Sequence, residues 1–224
     1  MVPGSIASVY GSFLVNSLST ASSSPLPINL GGVSLQFGSG LSAPLFAVSA
    51  SQVNFQVPWE LAGQTQASIA AMVDGQISGT QTMPLTPFAP GIFSTNGQGA
   101  ILDTSYRLVD SSNPATAGST IVQICCTGLG AVTNQPPSGS PPLSNQFSET
   151  TTTPVVTIGG VQAQVLFSGL APGLVGAYQV DALVPAGSSK GAAVPVVIAF
   201  GGSVTANGVD IGGATSNTVT IAVQ

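Results

Sequence analysis

Gln52-Val53-Asn54-Phe55-Gln56-Val57-Pro58 returns later in the chain as Gln179-Val180-Asp181-Ala182-Leu183-Val184-Pro185, and each copy then reaches a glycine, Gly63 or Gly187. Polar and apolar residues alternate through Gln52–Val57, the period of a strand with one face in a core. Three more matches keep the same order. Leu30-Gly31-Gly32-Val33 returns as Ile158-Gly159-Gly160-Val161, and Leu41-Ser42-Ala43-Pro44 as Leu170-Ala171-Pro172. Upstream, Gly4-Ser5-Ile6 with Gly11-Ser12 parallels Gly118-Ser119-Thr120-Ile121 with Thr127-Gly128. Four ordered matches at near-constant spacing indicate an internal duplication. Two homologous sandwiches of about 100 residues each are the natural reading.

The rest of the chain fits an all-β fold. Short β-branched segments are separated by Gly, Pro, Asn and Ser. Strands are expected at Ser5–Tyr10, Val33–Phe37, Gln52–Val57, Ser68–Val73, Gly79–Leu85, Gly99–Asp103 and Thr120–Cys126. Others follow at Pro154–Ile158, Gln162–Phe167, Tyr178–Val184, Ala193–Phe200 and Thr218–Val223. No longer window carries a helical stripe. The expected division is a sandwich over 1–88, a connecting hairpin segment over 89–117 packed between the units, and a second sandwich over 118–224. Loops with real freedom are expected at Leu18–Pro25 and at Asn134–Thr153, the second low in complexity and rich in proline.

Charge is almost missing. The 224 residues include 2 basic and 7 acidic side chains and no histidine, and charged residues make up 4%, against about 25% in an ordinary soluble domain. Each charge then has roughly 1,000 Å² of surface to itself, and neighbouring charges stand farther apart than the Debye length of about 8 Å. Long-range repulsion therefore does little to keep copies of the molecule apart. Nucleic-acid binding needs Lys and Arg to displace counterions, and only Arg107 and Lys190 are present. A histidine-based metal site or pH switch has no ligand to use. No apolar run reaches the ~20 residues of a membrane helix, so membrane insertion is not expected. The N-terminus has no secretory-leader pattern and is expected to be a mature end or the start of a fragment.

Individual residues offer few chemical candidates. Cys125 and Cys126 are adjacent in an expected strand, so one thiol should face the core and the other outward. Reduced structural thiols, an intermolecular disulfide and a vicinal disulfide are all compatible with that spacing. Trp59 is a candidate contact residue, stacking on a sugar ring, covering a sandwich end or sitting at the domain interface. Asp103 and Asp110 flank Arg107 in one hairpin, where an ion pair is expected rather than a calcium site. Gly38-Ser39-Gly40-Leu41-Ser42-Ala43 spells a dinucleotide fingerprint, but Pro44 follows at once where a helix would have to open. Nucleophilic catalysis lacks a histidine base. Neither an enzyme nor a cofactor is expected.

Pro3-Gly4-Ser5-Ile6 with Tyr10-Gly11-Ser12, Gln52–Pro58, Ala89-Pro90-Gly91-Ile92-Phe93 and Gly97-Gln98-Gly99-Ala100-Ile101-Leu102 resemble one family. Cys126-Thr127-Gly128-Leu129-Gly130 and Leu170-Ala171-Pro172-Gly173 with Tyr178-Gln179-Val180 extend the match. It is the uncharacterised C-terminal domain of large secreted acidobacterial proteins of the Solibacter type. Each half also resembles an IPT/TIG-type immunoglobulin-like domain. The resemblance implies two tandem Ig-like sandwiches and a secreted, bacterial cell-surface setting, with no catalytic residue to carry over. The expected function is a structural, self-associating extracellular module, a homo-oligomer or filament subunit. Natural sheets blunt their edges with Lys and inward charges, and here the expected edges, Ser5–Tyr10 and Thr218–Val223, carry none. A glycan-binding adhesin and a passive C-terminal spacer or sorting domain are the alternatives.

Overall fold

Two glycine pairs set the turns from which the duplication can be traced. Gly31 and Gly32 have φ of 59° and 81°, and Gly159 and Gly160 have 63° and 80°. Two successive residues with positive φ make the tight hairpin turn whose twist matches its strands, and glycine adopts it without strain. Leu30 and Val33 exchange backbone bonds of 2.9 and 3.1 Å across the first turn, and Ile158 pairs with Val161 across the second.

The computed structural model describes residues 1–13, 15, 17–38, 40–201, 205–206, 209–210 and 213–224. The first half holds β1 (Ile6–Tyr10), β2 (Ser19–Thr20), β3 (Val33–Phe37), β4 (Leu41–Ser42), β5 (Leu45–Val48), β6 (Gln52–Gln56), β7 (Gln66–Val73), β8 (Gln76–Ile77) and β9 (Gln81–Pro84). The second begins with β10 (Gly91–Ile92), β11 (Ser94–Thr95), β12 (Gln98–Gly99), β13 (Ile101–Asp103) and β14 (Ile121–Thr127). It continues with β15 (Val155–Ile158), β16 (Val161–Leu170), β17 (Tyr178–Leu183) and β18 (Gly191–Phe200). The last strands are β19 (Thr205–Ala206), β20 (Val209–Asp210), β21 (Ala214–Thr215) and β22 (Val219–Val223). The fold is all-β and sandwich-like. Among the described residues the only helical turn is a 3-10 turn at Trp59–Leu61.

In the first half, sheet β1-β6-β5-β2 faces sheet β4-β3-β7, which β8 and β9 extend. Val33, Leu35, Phe37, Leu45, Val53 and Phe55 fill the space between, and the Phe37 and Phe55 rings meet at 5.9 Å. In the second half one continuous path, β10-β14-β17-β16-β15-β18-β22-β12-β11, folds round a separate core. Ile124, Val156, Ile158, Tyr178, Val180, Val196, Ile198 and Ile221 form its centre. Strand β16 turns the corner: residues 161–163 pair with β15 and 164–170 with β17.

Hydrogen-bond register shows how deep the duplication runs. Tyr10, Val9 and Ser8 stand opposite Gln52, Val53 and Asn54. Cys125, Ile124 and Gln123 stand opposite the repeat counterparts Gln179, Val180 and Asp181. The register shift between Leu45 and Ala47 faces Phe55 and Asn54. Its counterpart between Val165 and Phe167 faces Ala182 and Asp181, so the same bulge recurs at the same place. One sequence match does not survive. Leu41 lies in β4, before the bulged strand, while Leu170 ends the bulged strand and pairs with Tyr178. The register equates Leu45 with Val165 instead, and the Leu-Ala-Pro likeness is coincidental.

The segment 89–117 is built into the second sandwich and does not stand between the units. Strands β10 and β13 both pair with β14, and β12 pairs with β22. Ile92, Ile101, Val109 and Ala115 are buried in the second core, and burying each of the Ile and Val side chains stabilises by about 1.5–3 kcal/mol. This also corrects the expectation for Thr218–Val223. Strand β22 lies inside its sheet, with β18 on one side and on the other a Thr220 amide bond to the Gly97 carbonyl and an Ala115 amide bond to the Ala222 carbonyl. Thr218 lies just before the strand, and Val223 is paired on both sides, with Gly191 and Ala115.

The turn geometry generates a paired test. An added methyl at Gly160 meets nothing within 4 Å, whereas one at Gly159 would lie 2.7 Å from Ser189 Oγ and 2.8 Å from Ser189 N. Gly160→Ala is expected to cost about 1–2 kcal/mol from the left-handed backbone alone, and Gly159→Ala clearly more. Urea unfolding of the two variants measures the difference.

Candidate functional site

The halves meet along a polar seam centred on Gln56. Its side chain has no exposed surface, because β6 ends just where the second half comes down on it. Gln56 Nε2 donates to the Gly4 carbonyl at 3.2 Å, and Gln56 Oε1 accepts the Gly139 amide at 2.6 Å. The Gly139 carbonyl accepts the Leu26 amide at 2.8 Å. Ser138 Oγ accepts the Trp59 amide at 2.9 Å and donates to Glu60 Oε2 at 2.7 Å. Thr127 Oγ1 accepts the Ile6 amide and donates to the Gly176 carbonyl, both at 2.9 Å. Close approach requires glycine at 176: an added Cβ would lie 3.0 Å from the Gly4 carbonyl and 3.1 Å from the Ile6 side chain.

This seam overturns the expectation of a free Asn134–Thr153 loop. Pro136, Gly139, Pro142 and Ser148 in that stretch are buried, and Gly139 lies against Pro44 of the first half. Prolines that read as low complexity act here as stiff packing surface. Of the alternatives for Trp59, the structure bears out the domain-interface place and overturns sugar stacking. Trp59 is 3% exposed and packs in the second core although it belongs to the first half of the chain. Its ring covers Gly4, so no sugar can stack on it. Its Nε1 has no hydrogen-bond partner among the described residues.

The cysteines point to opposite faces of β14. Cys126 is buried and Cys125 half-buried, and both are free thiols. Burial pushes both thiols up; the carboxylate of Asp181 adds to the effect at Cys125. A raised thiol is the reverse of an activated nucleophile. Burial also raises Asp181, against a bond from the Gln179 amide at 2.7 Å. Tyr178, wholly inside the second core, donates its hydroxyl to the Gly130 carbonyl and is held well above its ordinary pKa by burial.

Asp103 and Arg107 form the expected ion pair. Arg107 Nε and Nη2 reach Asp103 Oδ2 at 3.0 and 2.8 Å. The amides of Ser105 and Arg107 and the side chain of Asn113 supply three more bonds to the same carboxylate. With the backbone bond from Arg107 as the largest cause, Asp103 is held at about 2. Asp110 is lowered by its bonds to Ser112, from the hydroxyl first and then the amide. Both carboxylates are spent on the turn. Among the described residues no three His, Cys, Asp or Glu side chains gather as metal ligands.

Two short patterns resolve as loops. Gly38 and Gly40 lie in the link from β3 to β4 with no helix after them, while Ser39 lies outside the described residues. Gly187-Ser188-Ser189-Lys190-Gly191 spells the nucleophile-elbow pattern. It nevertheless joins β17 to β18 without the strand–turn–helix context that the elbow needs around Ser189. Among the described residues no helix is long and apolar enough to cross a membrane.

An exposed constellation lies on the outer side of β1. Ser5 is buried and bonds back to the Val2 carbonyl, so the usable edge starts after it. Among the described residues, strand β1 pairs with β6 alone. The backbone groups of Ser8 and Tyr10 point away from β6, and among the described residues neither amide has a partner. Tyr10 is 73% exposed. Beside it lies an open cleft of about 330 Å³ lined by Val9, Phe13, Leu35, Ile69 and Met83, with no charged residue on its walls. No protein-family model and no curated protein matches this chain.

Two predictions follow from these side chains. Trp59→Ala is expected to lower stability by about 3–5 kcal/mol, a purely structural cost readable by chemical denaturation. In acid, the Asp103 contribution is complete above the ordinary carboxylate pKa of about 3.9 and is lost as pH falls toward about 2. Cys126 and Tyr178 act at the other end. Their unfolded forms ionise near pH 8.5 and 10 while the folded forms stay neutral, so stability falls as pH rises above about 9. A melting profile against pH should be nearly flat in between, and Asp103→Asn should flatten the acid limb.

Proposed function

We propose that the chain is a structural, self-associating module of the bacterial exterior, holding copies of itself together through uncharged sheet edge and apolar surface. The observation that carries this is the outer side of β1: exposed, unpaired among the described residues, beside an apolar cleft, with none of the Lys or inward charge that protects natural edges. Large apolar side chains are also exposed elsewhere, among them Leu18, Ile28, Ile77 and Phe147. Only 2 basic and 7 acidic residues oppose contact between copies. The resemblance to the C-terminal domain family of secreted acidobacterial proteins, with Ig-like halves, supports an extracellular setting. The glycan-binding alternative loses its leading residue with Trp59 buried.

Sedimentation and electron microscopy on the purified chain test the reading. Assemblies should grow with concentration through the tens of micromolar. Adding salt should leave them intact or strengthen them, because contacts of this kind hold few ion pairs to screen. A monomer at every concentration overturns the proposal.

A further inference from the structure

The duplication supplies a control for the open edge, because the second half covers the edge that the first half leaves bare. Cys125, the register counterpart of Tyr10, donates its amide to the Ala100 carbonyl at 3.1 Å and accepts the Phe93 amide at 3.0 Å. Gln123, the counterpart of Ser8, is paired with Leu102, and Ile124, the counterpart of Val9, with Ile101. Ile101 is fully buried and completes the second core from that side. In the first half no described strand stands in this place, and the cleft bordered by Val9 lies open beside it. The first sandwich is therefore short of one strand that its own copy possesses.

We infer that β1 of a second copy fills this place, pairing antiparallel with β1 so that Ser8 faces Tyr10, Tyr10 faces Ser8 and Val9 faces Val9. This rests on the self-association proposed above and names its contact. In an antiparallel ladder, alternate facing pairs exchange both backbone bonds. The two Ser8–Tyr10 pairs therefore use the free outward amide and carbonyl of each residue, four bonds in all. Ile6, whose amide is already held by Thr127 Oγ1, stays outside the pairing. The second copy's Val9 occupies the register position that Ile101 fills in the second half: a β-branched residue facing a β-branched residue, beside an apolar cleft. No charged residue lies in Ser5–Phe13 to oppose the approach. The contact is two-fold and closes on itself, so it yields a dimer, and a filament would need a further interface.

Cross-linking reads the register directly. Facing Val9 residues form a non-hydrogen-bonded pair, with Cα atoms about 4.5 Å apart, within disulfide reach. Two Tyr10 residues would stand about 8 Å apart, beyond it. In a Cys125→Ser background, Val9→Cys should oxidise to a covalent dimer and Tyr10→Cys should not. Tyr10→Pro removes the outward amide while leaving the ladder to β6 intact. It should weaken dimerisation roughly tenfold or more, with the melting temperature little changed. If Tyr10→Pro fails to fold, the cross-link decides alone. A chain that assembles normally with Tyr10→Pro, and whose Val9→Cys form stays reduced, overturns this contact and leaves self-association standing. A chain that is monomeric at every concentration overturns both.

Discussion

The buried amide of Gln56 is the bond set on which the two-part architecture depends. One side chain joins three segments distant in sequence, accepting from Gly139 and donating to Gly4 at the end of its own strand. A buried amide left without partners costs about 1–3 kcal/mol, so the seam is favourable only when both neighbours are in place. Everything near it is neutral or carries a single carboxylate, Glu60, which is itself held by Ser138. A chain with so few charges must build its junctions from amides, hydroxyls and backbone. Thr127, Ser138 and Gly176 all serve in that way.

Much of this was legible in the sequence. The glycine pairs and the Gln52–Val57 repeat locate two hairpin turns and two equivalent central strands, because turn chemistry and period-2 alternation are local properties. The opposite facing of Cys125 and Cys126 follows from the same period. The seam was not legible, because nothing local marks Gln56 as buried: it occupies a polar position of an alternating strand. Its burial comes from a loop more than eighty residues away. Likewise Trp59 and the prolines of Asn134–Thr153 have compositions that suit exposure and coverage equally, and only tertiary contact chooses. Thr218–Val223 reads as a terminal edge by position in the chain, yet chain ends and sheet edges coincide only when the topology makes them.

The two halves show how one design tolerates different completions. They share turn, register and bulge around β6 and β17 but differ in what lies beyond β1 and β14. The segment after the first sandwich gave its strands to the second, as β10 and β13. The asymmetry is thus one of chain economy: a single connector can complete only one of two equivalent edges. Edge exposure here is a product of topology, and the near-absence of charge leaves it undefended.

Trp59 is the chain's single tryptophan, and it sits where the 3-10 turn of one half enters the core of the other. Indole emission from this protein therefore comes from one dry location between the two units. Any loosening of that junction would admit water to the ring and shift the emission to the red, even while both sheets kept their hydrogen bonds. The molecule thus carries an intrinsic optical gauge of the junction between its halves, separate from the backbone signals that report the strands.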